Sequence, residues 1–197
     1  VQADNVVFAT RGSRKKRDGI NFNWDDQESS EGESIIAQHD FWFGATSRTQ
    51  RRVALSSTKA LYSYNSDGTR TTIEEDDENV TEWSSNITQG SFLTYNNKLL
   101  IAVDGSGNKV RQWDGSGKII DLAGSPPEAS FLREHLGRVW CNDKNDKDRL
   151  HYSTPGNEEE WGGVGDSGAI DIGIGDGDPE GITNAFVFKG VLFVAKR

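Results

Sequence analysis

A pattern that returns about every 40 residues is the strongest constraint this sequence places on its fold. A basic residue followed by a short apolar run occurs at Lys59 before ALYSY, at Lys98 before LLIAV and at Arg138 before VWCN, at intervals of 39 and 40 residues. A fourth apolar run, GVLFVA, occupies 190–195. Seven to nine residues upstream of each run stands another apolar pair: Val53 with Leu55, Phe92 with Leu93, Phe131 with Leu132, and Ile182 with Phe186. Downstream, NKVRQW (108–113) matches DRLHYS (148–153), and KIIDL (118–122) matches AIDIGI (169–174) with an insertion around NEEEWGGVGDSG. Each unit reads as three or four short strands. Asp-Gly pairs at 18–19, 67–68, 104–105, 114–115 and 176–177 mark turns between them, since both residues tolerate positive φ.

A four-stranded antiparallel unit repeated at this period predicts an all-β fold, a β-propeller of ~40-residue blades. The blades are expected at about 51–83, 90–124, 130–175 and 181–197, the last cut short after its second strand, so the propeller is incomplete within this chain. A β-sandwich with coincidental spacing is the competing architecture. Residues 1–50 do not fit the repeat and read as N-terminal strands with a basic and polar arm. PPEASFLREHLGR (126–138) is expected to hold one helical turn at most.

Composition narrows the function. Only 34% of residues are apolar, but 10% are aromatic and six are Trp, which opposes disorder. No apolar run approaches the roughly 20 residues of a membrane helix. The single Cys141 excludes a disulfide framework, and His39, His135 and His151 lack metal-ligand spacing. The chain has no Met and opens without a signal-peptide pattern, which reads as a processed or partial chain. The net charge of -9 opposes non-specific coating of nucleic acid.

Against that background the run RGSRKKR stands out. Arg11, Arg14, Lys15, Lys16 and Arg17 are the expected contact to a partner protein or a DNA backbone, with the acidic run Glu74–Glu78 a candidate complement in a neighbouring subunit. DGSGNKVRQWDGSGK lacks the Lys-Ser/Thr ending and following helix of a phosphate loop. The acids Asp176, Asp178 and Glu180, and the loop with Asp143, Asn145 and Asp148, do not complete a calcium loop. GDSGA (165–169) is not a nucleophile elbow, and the Asn79 and Asn86 sequons are read as chance. No catalytic residue, metal or cofactor is expected, and the chain reads as a non-enzyme.

FATRGSRKKRDGI, GRVWCNDKNDKDRLHYSTPGNEEEW and IDIGIGDGDPEGITNAFVFKGVLFVAKR together resemble segments of bacteriophage tail and neck structural proteins built on a β-propeller, of the nozzle or tail-accessory ring type. The resemblance implies a virion component that forms a homo-oligomeric ring around the channel of DNA ejection. It also implies binding to neighbouring tail or neck proteins, with no membrane span. The competing function is a glycan-binding or glycan-cleaving propeller, sialidase-like or lyase-like. A scaffold propeller with Gly-His and Trp-Asp repeats is disfavoured, because Trp-Asp occurs only at 24–25 and 113–114.

Overall fold

The computed structural model describes residues 34–65, 68–76, 78–84, 87–173 and 181–196, together with two short backbone strands near the start. These two, β1 (Val6–Val7) and β2 (Lys15–Lys16), pair antiparallel. Among the described residues every other strand belongs to one of four small antiparallel sheets, and no helix occurs. The first sheet runs β3 (Ile35–Phe43), β4 (Thr49–Ser56), β5 (Leu61–Tyr64), β6 (Arg70–Thr72). The second runs β7 (Gly90–Tyr95), β8 (Lys98–Val103), β9 (Arg111–Trp113), β10 (Ile120–Asp121). The third runs β11 (Leu132–His135), β12 (Arg138–Asn142), β13 (Arg149–Tyr152), β14 (Gly168–Asp171). The fourth is a hairpin of β15 (Ile182–Phe188) and β16 (Val191–Lys196).

Each four-stranded sheet is a simple meander, with neighbours in sequence also neighbours in space. LLIAV, RVWCN and VLFVA are all second strands, so Leu100, Trp140 and Leu192 sit in equivalent elements. ALYSY is different. It forms β5, the third strand, and the true counterpart of LLIAV is RVALS in β4. A basic residue before a short apolar run is too degenerate a signal to separate a second strand from a third. The first sheet therefore takes in β3 from Ile35, and position 51 lies inside β4 rather than at the start of a unit. PPEASFLREHLGR holds no helical turn, and Leu132–His135 is strand β11, paired residue for residue with β12.

Among the described residues the tightest hairpins are not at Asp-Gly pairs. Three two-residue turns join first to second strands: Asn96-Asn97 (φ 47 and 60), Leu136-Gly137 (φ 52 and 67) and Lys189-Gly190 (φ 48 and 76). Two positive φ angles in succession define the turn whose twist suits the flanking strands. Asp104-Gly105 and Asp114-Gly115 instead begin longer loops after β8 and β9, where the Asp side chains cap backbone N–H groups at Thr88, Gln89 and Ser116.

The core is three clusters in series rather than one. Phe41, Val53, Leu55 and Leu61 of the first sheet pack on Leu99, Ile101, Val103 and Trp113 of the second. The opposite face of the second sheet, with Leu100 and Ala102, packs on Leu132, Val139 and Cys141 of the third. The far side of the third, with Phe131, Trp140 and Leu150, packs on Ile182, Ala185, Leu192 and Val194 of the hairpin. Alternation along one strand explains why β8 is apolar from Leu99 to Val103: odd residues serve the first interface and even residues the second. The first strands adjoin in order, β3 with β7, β7 with β11, and β11 with β15.

Candidate functional site

Polar side chains fix the spacing of the stacked sheets. Arg111 of β9 is fully buried, with its guanidinium 3.6 Å from the Trp83 ring centre, donating to the Thr81 carbonyl at 3.0 Å and ion-paired to Glu75. Lys98 bridges Glu158 and Glu159 at 2.8 Å each, tying β8 to the loop after β13. Asn96 donates to Glu158 at 2.7 Å in the same place. Lys144 reaches back from the third sheet to donate to the carbonyls of Val103 and Gly105 at 2.5 and 2.6 Å. Burial draws the Lys144 ammonium down to about 8, opposed by the negative charges of Asp104 and Glu128. Arg133 of β11 donates to Ala185 and Asn184 of β15 at 2.6 and 2.8 Å.

Of the expected contact residues, Lys15 and Lys16 form β2 opposite Val7 and Val6. Arg11, Arg14 and Arg17 lie outside the described residues, as do Asp176, Asp178 and Glu180. Part of the acidic run is engaged within the chain: Glu75 holds Arg111, and Asp76 accepts from the Asn79 side chain and the Glu78 N–H, which lowers the Asp76 carboxyl below its usual value. Asp143 faces His151 at 3.3 Å and Asp148 pairs with Lys196 at 2.8 Å, so both carboxylates of that second acidic loop have partners within the chain. Among the described residues no group of three or more His, Cys, Asp or Glu side chains is placed to hold a metal.

The histidines do not converge. His39 bonds Thr94 at 2.7 Å and stacks near Phe92, His135 lies against Trp140, and His151 faces Asp143. Burial lowers the pKa of both His39 and His151. Cys141 is buried in the second interface, and burial pushes its thiol far up, so little thiolate is available for chemistry. Ser167 closes its own turn by donating to the Val164 carbonyl at 2.6 Å.

Two surfaces remain. The first is the far face of the last hairpin. Cross-strand pairing sets Phe186 opposite Phe193 and Phe188 opposite Val191 on one face, while Ala185 and Val194 point to the third sheet. Phe186, Phe188, Val191 and Phe193 are 55%, 57%, 54% and 44% exposed, with the two paired Phe rings stacked at 5.2 Å. The equivalent faces of the first three sheets are each covered by the next sheet. Counting about half of each side chain, the patch amounts to roughly 300–400 Å², near the largest apolar patch a typical monomer shows.

The second is an open groove of about 470 Å³ between the first sheet and the β9–β10 turn. One wall carries Arg51, Ser63, Asn65, Thr71 and Thr72, and the other Gly115 to Lys118, with Trp113 and Ile73 below and Glu74 alongside. Phe41 and Phe43 pack on Trp113 with ring centres 5.8 and 6.4 Å away, which fixes the floor. Gly115 (φ 94) lies so near Phe43 that a Cβ there would stand 2.6 Å from the ring, so the turn closes on the first sheet only as glycine. Residues from positions 51 to 118 build this groove, and no local sequence pattern marks it. The hairpin face, by contrast, is readable in FVFKGVLFV once the pairing register is known.

No family model matches the chain, and no curated protein matches it. Among solved structures, the chain is similar to one described as "Crystal structure of BBS1N in complex with ARL6DN, soaked with lead", with a TM-score of 0.44 and 15% identity. The match covers 84% of this chain and 50% of that one, so this chain spans about half the length of the solved neighbour.

Proposed function

We propose that this chain is a non-enzymatic assembly component: a propeller-like series of antiparallel sheets that uses the open face of β15 and β16 as an assembly contact. In its specific form the proposal is a ring-forming structural protein of a phage tail or neck, localised to the virion, with neighbouring tail proteins as partners. The single observation that supports it is the open face of β15 and β16. Phe186, Phe188, Val191 and Phe193 occupy the position that in each earlier unit meets a further sheet. Transfer of roughly 300–400 Å² from water corresponds to about 8–10 kcal/mol of gross driving force at 25 cal/mol per Å², an upper bound before association entropy. The phage assignment draws on the resemblance of the three segments quoted above.

Sedimentation velocity of the purified chain from about 1 to 100 µM, with negative-stain imaging, tests both levels. Concentration-dependent assembly into ring-shaped particles, abolished by Phe186→Ser with Phe193→Ser, is the expected result. A wild-type chain that stays monomeric over that range, or a double variant that assembles equally well, refutes the use of this face. For the basic segment, Arg14→Glu with Lys15→Glu is expected to weaken DNA retention by the assembled particle. Unchanged retention removes the DNA contact.

A further inference from the structure

The groove between the first and second sheets has a chemistry that the assembly reading does not use. Across the described residues most cations are committed: Lys98 to two carboxylates, Arg111 to Glu75, Arg149 to Asp146 and Asp171, Lys196 to Asp148. Arg51 and Lys118 are not. Neither side chain forms an ion pair or hydrogen bond among the described residues, although the charge of Lys118 is felt at Asp76. In a chain of net charge -9, two uncommitted cations on opposite walls of one groove outnumber its single lining carboxylate, Glu74.

The rest of the lining is polar and neutral. Ser63, Asn65, Thr71 and Ser116 supply hydroxyl and amide groups that both donate and accept, and Glu74 adds an acceptor for hydroxyl protons. Trp113 gives an apolar floor. A simple inorganic anion would use the two cations and leave the hydroxyl wall idle. A neutral sugar would use the wall and leave the cations idle. A nucleotide base would call for an exposed aromatic face, whereas Trp113 is buried beneath Phe41 and Phe43.

We propose that this groove, with Arg51 and Lys118 on opposite walls and the Ser/Thr/Asn wall between, binds an acidic oligosaccharide, its carboxylate or sulfate at the cations and its hydroxyls along β5 and β6. The site lies on the first and second sheets, away from the β15–β16 face, so its occupation is independent of assembly. The volume of about 470 Å³ falls in the usual range for small-ligand sites and accommodates two to three sugar rings.

Titration of the full chain at 0.15 M salt, followed by calorimetry and by Trp fluorescence, decides the matter. The probes are trigalacturonate, a heparin-derived tetrasaccharide, maltotriose and citrate. Saturable binding of at least one of the two acidic oligosaccharides is expected, with maltotriose and citrate each at least tenfold weaker. Arg51→Gln with Lys118→Gln is expected to weaken the acidic ligand at least tenfold with an unchanged melting temperature, because neither side chain carries a bond among the described residues. Equal binding of citrate shows generic anion attraction and overturns the proposal. So does undiminished binding by the double variant, or no saturable binding of either acidic oligosaccharide. Should the double variant fail to fold, Thr71→Val, on the exposed edge strand and on the same face as Ser63, supplies the same test: loss of acidic-saccharide binding supports the site, and unchanged binding refutes it.

Discussion

Replacement of Gly124 by Ala tests the close fit between the second and third sheets. Gly124 lies in the connection from β10 to β11 with φ 76, and a Cβ built there would stand 1.6 Å from the Glu159 carbonyl oxygen. Two costs follow. The first is the left-handed backbone, about 1 kcal/mol for a residue with a side chain. The second is displacement. To restore ordinary contact, Glu159 must retreat by roughly 1.5 Å. Glu159 and Glu158 together hold Lys98, Asn96 and Gln112, and the Glu158 carbonyl accepts from the Trp161 indole at 2.6 Å. Disturbing this network while Glu158 stays buried adds about 2–3 kcal/mol. Gly156→Ala is the control: its φ is also 76, but nothing lies within 4 Å of the added Cβ. Urea unfolding followed by Trp fluorescence should give a loss of about 3–4 kcal/mol for Gly124→Ala against about 1 kcal/mol for Gly156→Ala. For a chain this size that separates the melting temperatures by roughly 4–12 °C. If the two variants lie within about 0.5 kcal/mol of each other, the close approach does not contribute and the reasoning fails.

Two further outcomes are expected. Leu136 sits at φ 52 in a two-residue turn, 75% exposed, where a branched side chain has no compensating contact. Leu136→Asn should therefore stabilise the chain by about 0.5–1 kcal/mol in the same urea assay, and a loss of stability would contradict the strain argument. Lys144, with its pKa lowered by burial to about 8 from 10.5, binds fewer protons folded than unfolded between those two values. Its penalty is fully present below pH 8 and fades as pH rises, so this group makes stability increase from pH 8 toward 10.5. Lys144→Met should flatten that part of the stability–pH curve relative to wild type, and an identical slope in the two proteins would remove the burial argument.

Much of this architecture was legible because repeated sheets write their strands into local sequence. LLIAV, RVWCN and VLFVA mark second strands, and continuous apolarity in LLIAV reports a strand buried on both faces. The first unit was harder to place. The apolar stretch ALYSY imitates a second strand, and β3, with its alternating exposed and buried residues, carries no repeat signature until its pairing with β4 is seen. The same degeneracy hid the hairpin turns. Asn96-Asn97 is an obvious turn, but Leu136-Gly137 is not, because a leucine with positive φ is accepted only when the strands on either side hold it there.

The sequence by itself determined that the chain is a succession of short antiparallel strands with tight polar connections, since strand alternation and turn chemistry act over a few residues. The tertiary structure alone decided which faces meet. Arg51 and Lys118 are separated by 66 intervening residues and share a groove because Gly115 lets one turn close on Phe43. Phe186 and Phe193 stand open because the preceding interface uses the other face of their hairpin. Contacts between sheets depend on register and stacking direction, which are set by the packing of all the units together and not by any one of them.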